Sequence, residues 1–161
     1  MRKFMSFLGG LVVAIGLVSP AAADWTTNDY FVEDKLYMAT DMDEDGNRKF
    51  EVACNAGAGV IEVTLYTGEA YDPKTSNPDK VPISITTDSR TQPIVAAGYF
   101  QDFHGDLIVH SDSGVDPAWY RILDPVAVSE AAIKVEVDHR EYRLSTKGFS
   151  AAMDHLREKC S

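Results

Sequence analysis

Residues 49–66 read KFEVACNAGAGVIEVTLY, and the alternation within this stretch decides the fold. Phe50, Val52 and Cys54 take turns with Lys49, Glu51 and Ala53; further on, Ile61, Val63 and Leu65 take turns with Glu62, Thr64 and Tyr66. An apolar residue at every second position places one face of an extended chain in a core and the other in water, which is the mark of a half-buried β-strand. The intervening NAGAG is rich in the small residues that turns use. Working outward, KLYMAT (35–40), VPISITT (81–87), IKVEV (133–137) and EYRLST (141–146) repeat the pattern. PIVAAGYF (93–100) and DLIVHS (106–111) are more evenly apolar, as expected of central strands or strands buried on both faces. HG, SDSG and DP supply turn signals between them.

Two segments read as helix. DPVAVSEAA (124–132) offers Asp124 as N-cap and Pro125 at the first helical position. In STKGFSAAMDHLREKC (145–160), Phe149, Ala152, Met153, Leu156 and Cys160 recur at steps of three and four, a single apolar stripe. Ser145 or Thr146 can cap its start, and Arg157 and Lys159 suit its negative end. TGEAYDPKTSNPDK (67–80) has no periodicity and is expected to be a flexible loop. The expected architecture is mainly β: an antiparallel β-sandwich or partly open barrel with a C-terminal α-helix packed on the sheet.

The first 23 residues stand apart. Arg2 and Lys3 precede an apolar run from Phe4 to Val18, and Ala21 and Ala23 satisfy the small-x-small rule of signal peptidase. The run is short of the ~20 residues that a spanning helix needs. The expectation is a signal peptide over 1–23, cut after Ala23, and one β-rich domain over 24–161. The expected location is the periplasm, with release outside the cell as a variant. Removing Arg2 and Lys3 leaves 13 basic against 25 acidic residues, a formal charge of −12. A charge of that sign repels nucleic acid and anionic lipid.

The two cysteines, Cys54 and Cys160, are an even pair in an exported chain, so one disulfide is expected. DMDEDGNRKFE (41–51) carries Asp41, Asp43, Asp45 and Gly46 at the first, third, fifth and sixth positions of a calcium loop. Asn47 and Glu51 complete the candidate set. The match then fails, because the eighth position is Arg48, the twelfth is Val52, and strands rather than helices bracket it. The favoured reading is a connection between strands 35–40 and 49–54, with calcium as the alternative. In QDFHGDLIVHSDSG (101–114), His104 and His110 are weaker candidates for a transition metal, accompanied by Asp102, Asp106 and Asp112. A turn at His104-Gly105 separates them. No cofactor is expected.

His110, Ser111, Asp112 and Ser113 are adjacent, whereas a nucleophilic triad needs groups converging from different segments. G-x-S-x-G, H-E-x-x-H and phosphate-loop patterns do not occur. Trp25, Tyr30, Phe31, Trp119 and Tyr120 read as core or rim residues, with Trp25 tying down the start of the domain.

These landmarks resemble a group of small exported proteins of Gram-negative bacteria. They are an early Trp25, a strand ending in a cysteine (KFEVAC), VIEVTLY, VPISITTD, and a Gly-led helix closing on Cys160. The group includes the periplasmic type VI secretion-associated family and related uncharacterised alphaproteobacterial proteins. The invasion-associated locus B family has a similar Gly-Phe helix near its end, but its additional cysteines are missing here. The resemblance implies a fold pattern and names no catalytic residue. The sequence therefore points to a non-catalytic envelope protein that binds another envelope or secreted protein. A calcium-binding protein is the alternative, and a small periplasmic hydrolase is third.

Overall fold

The computed structural model describes residues 24–31, 35–42, 48–74, 80–87, 93–124 and 132–160. The leader over 1–23, most of the loop holding Asp43, Asp45 and Asn47, and most of the helix expected over 124–132 lie outside the described residues.

The strands are β1 (Thr26–Phe31), β2 (Leu36–Met42), β3 (Lys49–Asn55), β4 (Val60–Ala70), β5 (Lys80–Thr86), β6 (Ile94–Phe103), β7 (Asp106–Asp112), β8 (Ile133–Val137) and β9 (Arg140–Leu144). They form one antiparallel sheet in the order β1-β2-β3-β4-β7-β6-β5-β8-β9. The alternation in residues 49–66 is realised directly. Phe50, Val52, Cys54, Ile61, Val63 and Leu65 are all buried in the core, and β3 pairs with β4 through Cys54↔Ile61 and Val52↔Val63. Ile83, Ile85, Ile133, Val135, Val137, Tyr142 and Leu144 face the same core from the other half of the sheet. The evenly apolar β6 and β7 sit at the middle of the order. Of these two, β7 is buried on both faces, through the run Leu107, Ile108 and Val109. On β6, Val95 is 52% exposed, so this strand alternates after all.

The segment expected to be a loop from residue 67 begins as strand, since β4 runs on to Ala70 across a register shift. The Thr67 hydroxyl donates to the Leu107 carbonyl at 2.7 Å and holds this extension to β7. Pro82 lies within β5, where a proline removes a ladder donor. It is tolerated because the pairing of β5 with β8 covers only Ile83 to Thr86.

The sheet curls until its last strand meets the ends of its early ones. Ser145, just past β9, donates its backbone N–H to the Asp41 carboxylate of β2 at 2.7 Å. The Arg48 guanidinium, just before β3, lies 5.1 Å from the centre of the Tyr142 ring of β9. Arg140, at the start of β9, makes a two-pronged contact with Glu69 of β4 at 2.9 and 2.7 Å. β9 thus passes across the ends of β2, β3 and β4. Of the two expected architectures, the partly open barrel describes this path, since one continuous sheet closes on itself through side chains rather than a ladder.

The described part of the β7–β8 connection holds a 3-10 helix, Pro117–Leu123, with Asp116 as its N-cap and Asp124 as its C-cap. Trp119 is fully buried there, and its indole N–H donates to the Ser111 hydroxyl at 2.7 Å. The C-terminal helix α1 (Phe149–Cys160) buries Phe149, Ala152, Met153 and Leu156, the stripe read from the sequence. It packs on β1, β2, β3 and the 3-10 helix. Neither expected cap closes its start with a side chain: the Ser145 hydroxyl accepts from Lys147 N, and the Thr146 carbonyl accepts from Phe149 N. Gly148 leads the helix at φ +81°, a conformation that glycine adopts without a Cβ penalty. A Cβ there would also sit 3.2 Å from the Trp25 carbonyl oxygen. Arg157, off the apolar stripe, donates to the Leu123 carbonyl at 2.9 Å and ties α1 to the 3-10 helix. Cys54 and Cys160 form the disulfide, with Cα atoms 6.2 Å apart, inside the usual span for a bridge.

Candidate functional site

Strand register assembles the richest surface of the domain on the outer face of the central strands. Thr40, Glu51, Thr64, His110, Tyr99 and Lys80 are successive cross-strand neighbours, forming one row across six strands. A second row runs Met42, Lys49, Tyr66, Ile108 and Gln101. Strands lie ~4.8 Å apart, so side chains in such rows touch their neighbours.

The Lys49 ammonium sits 3.0 Å from a Glu51 carboxylate oxygen and 3.9 Å from the centre of the Tyr66 ring. Burial acts to lower the Lys49 pKa, but the hydrogen bond and charge of Glu51, with help from Tyr66, raise it above the ordinary 10.5. Lys49 is therefore a fixed cation, unsuited to work as a base or a nucleophile. The edge of Tyr66 meets Phe103 at 5.8 Å between ring centres, and Phe103 meets His104 at 4.7 Å. His110 Nδ1 is 3.1 Å from the Thr64 hydroxyl. Lys80 reaches toward Tyr99, 5.9 Å from the ring centre. Beside Lys80 lies a groove of about 250 Å³ lined by Pro82, Val95, Ala97 and Asp116, together with the neighbouring Val81 and Ala96. Both oxygens of Asp116 are already engaged, one by Ala118 N and the other by Ala97 N, each at 3.0 Å. This face offers aromatic edges, a few fixed charges and small apolar hollows, which suit non-covalent contact.

The residues singled out in the sequence are placed as follows. Asp41 is buried, and its two oxygens accept from Met42 N at 2.9 Å and Ser145 N at 2.7 Å. Asp41 pairs with Phe50 and so faces the interior, whereas Glu51 pairs with Thr40 and faces outward. The calcium candidates Asp41 and Glu51 thus stand on opposite faces of the sheet. Asp43, Asp45 and Asn47 lie outside the described residues. His104 occupies the β6–β7 turn at φ +56°, followed by Gly105 at φ +91°, and Asp102 Oδ1 accepts from Gly105 N. His110 lies four residues into β7, ~13 Å from the turn. The structure does not bring the two imidazoles together. Among the described residues no group of three or more His, Cys, Asp or Glu is placed to hold a metal ion. Asp112 Oδ1 accepts from Gly114 N and Val115 N, the Ser111 hydroxyl donates to the Ala97 carbonyl, and the Ser113 hydroxyl accepts from Ile61 N. The adjacent polar residues of this segment are thus engaged in holding the chain's course. The Tyr120 hydroxyl donates to the Gly59 carbonyl at 2.6 Å.

The role of Asp41 is testable. Asp41→Ala leaves the Ser145 N–H without its acceptor and is expected to cost about 2 to 3 kcal/mol, the scale of a hydrogen bond to a charged group with its partner stranded. Glu51→Ala takes a largely buried carboxylate from Lys49 but strands no backbone group, and is expected to cost less, about 1 kcal/mol. Urea unfolding of the two variants side by side decides; equal costs would show that Asp41 does not hold the end of β9.

No family model matches the chain, and no curated protein or solved structure matches it. Among the described residues no helix is long and apolar enough to cross a membrane.

Proposed function

We propose that the protein is a non-catalytic component of the bacterial periplasm that binds another envelope protein through the outer face of its central strands. The observation that carries this reading is the exposure of Val95 (52%) and Phe103 (45%) on the same face as Tyr66 and Tyr99. Exposed apolar and aromatic side chains gathered on one face lose water when a partner covers them, and aromatic residues are enriched in such contacts. The fixed charges of Lys49 and Lys80 add orientation, since charge at an interface contributes more to register than to affinity. The leader-like first 23 residues and the two-cysteine pattern support the periplasmic placement.

The test is a photo-crosslinking side chain placed at Val95, with the same group at Glu141 on β9 as reference. In intact Gram-negative cells, Val95 is expected to give a discrete adduct that an excess of unlabelled protein suppresses and that Phe103→Asp abolishes. Crosslinking that is equal at the two positions, or absent at Val95, would overturn the reading.

A further inference from the structure

The groove beside Lys80 opens where β6 outruns its neighbour. β6 pairs with β7 from Tyr99 to Phe103, so the Ala97 N–H lies beyond that ladder and goes to the Asp116 carboxylate at 3.0 Å. On the outer face Ala97 stands opposite Pro82, and Val95 stands opposite Ser84. Pro82 and Ala97 are small and make a shallow apolar floor, Val95 makes a wall, and the hollow holds about 250 Å³. Asp116 lies at one end. Its two donors, Ala118 N and Ala97 N, are neutral N–H groups that leave the negative charge uncancelled, and each oxygen has a second lone pair to offer. Lys80 is exposed and lies at the other end, opposite Tyr99 and two positions along β5 from Pro82. The groove is thus apolar along its floor, negative at one end and positive at the other.

We propose that this groove takes an extended segment of a partner protein with a basic and an acidic residue four positions apart and a branched aliphatic residue midway. The inference rests on the reading of this face as a docking surface and names the chemistry that the surface selects. Two residue steps along the strands and about two strand spacings across them separate the Lys80 and Asp116 ends by roughly 12 Å. An extended chain covers ~13 Å in four residues and points alternate side chains to one face. The basic residue then meets Asp116, the acidic residue meets Lys80, and the aliphatic side chain between them falls on Pro82 and Ala97 beside Val95. A helix rises only ~6 Å over the same four residues and reaches one end alone. The two charges set register, while the aliphatic side chain supplies the contact that excludes water. A segment with two cations or two acids brings like charges together at one end and is rejected.

The experiment titrates the purified, disulfide-bonded protein with short blocked peptides and follows backbone amide shifts by NMR. The peptide AKALAEA carries the pattern, AKALAKA carries two cations, and AKLEA closes the spacing. AKALAEA is expected to move the amides of Val95 and Ala97 and to bind about fivefold more tightly than AKALAKA, the scale of one exposed ion pair gained. That preference runs against the acidic balance of the chain, which by itself favours the two-cation peptide. AKLEA is expected to bind more weakly than AKALAEA, because it spans only half the distance. Lys80→Glu makes both ends of the groove negative and is expected to reverse the order, so that AKALAKA binds more tightly than AKALAEA. Equal binding of those two peptides by the wild type, or an unchanged order in Lys80→Glu, would overturn the proposal. So would unmoved Val95 and Ala97 amides at about 5 mM AKALAEA, since one anchored side chain and two exposed ion pairs belong in the millimolar range. The Val95 crosslink in cells reports on the docking surface separately. Loss of peptide selectivity with that adduct intact would overturn this inference alone; loss of the adduct with selectivity intact would overturn the docking reading and uphold the selectivity of the groove.

Discussion

Trp25→Ala is expected to lower the unfolding free energy by about 3 to 5 kcal/mol, the range for removing a large buried aromatic side chain. The substitution empties a pocket walled by Phe50 and Phe149 and strands the Ser145 carbonyl that the indole N–H had satisfied. Ser145 also gives its N–H to Asp41, so one residue is held by Trp25 on one side and by β2 on the other. Loss of Trp25 therefore loosens the place where the curled sheet closes, not a frayed end. Trp25→Phe restores most of the packing and omits the hydrogen bond, and it is expected to cost about 1 to 2 kcal/mol. Urea unfolding followed by far-UV circular dichroism measures both. A Trp25→Ala midpoint equal to that of the wild type would mean that the domain does not use its first residues.

Cys160→Ser is expected to cost about 2 to 5 kcal/mol, with the chain-entropy argument at the upper end because the two cysteines are 106 positions apart. The bridge joins the last turn of α1 to the buried Cys54 of β3, so it constrains nearly the whole domain in the unfolded state. The folded helix keeps its seat in the variant, since Phe149, Met153 and Leu156 remain buried against the sheet. The native circular dichroism should therefore persist while the urea midpoint falls. Leu156→Ala is expected to cost a similar ~2 to 5 kcal/mol by a different route, a cavity in the folded state. Arg157→Ala should cost about 1 kcal/mol through its bond to the Leu123 carbonyl. The two large effects are separable: reductant should destabilise the wild type and leave Cys160→Ser unchanged. A wild type indifferent to reductant would mean that the bridge contributes nothing to stability.

The outer face owes its chemistry to register. Lys49 and Glu51 are two apart on β3, and their pairing can be read from spacing in a strand. That Tyr66 lies opposite Lys49, or that Phe103 meets Tyr66, depends on how β3, β4, β7 and β6 align. The lysines and aromatics of this face lie in four separate segments, and no local signal links them.

For the cleanly alternating strands and the last helix, the face each residue takes was legible in the sequence alone. Period-two alternation assigned Phe50, Val52, Ile61, Val63, Leu65, Ile83, Ile85, Ile133, Val135 and Leu144 to the core, and the steps of three and four assigned Phe149, Met153 and Leu156 to the buried side of a helix. The cysteine count sufficed for the bridge, and His104-Gly105 for the β6–β7 turn. These are properties of a residue and its near neighbours along the chain. The tertiary structure decided which strand lies beside which. It placed β7 against β4, sent β9 across the ends of β2, β3 and β4, and made Asp41 a buried acceptor for the Ser145 N–H. It also gave Arg157 a carbonyl to hold in place of water. Alternation encodes a face and not a neighbour. Contacts between residues a hundred positions apart arise only when the sheet has curled and its ends have met.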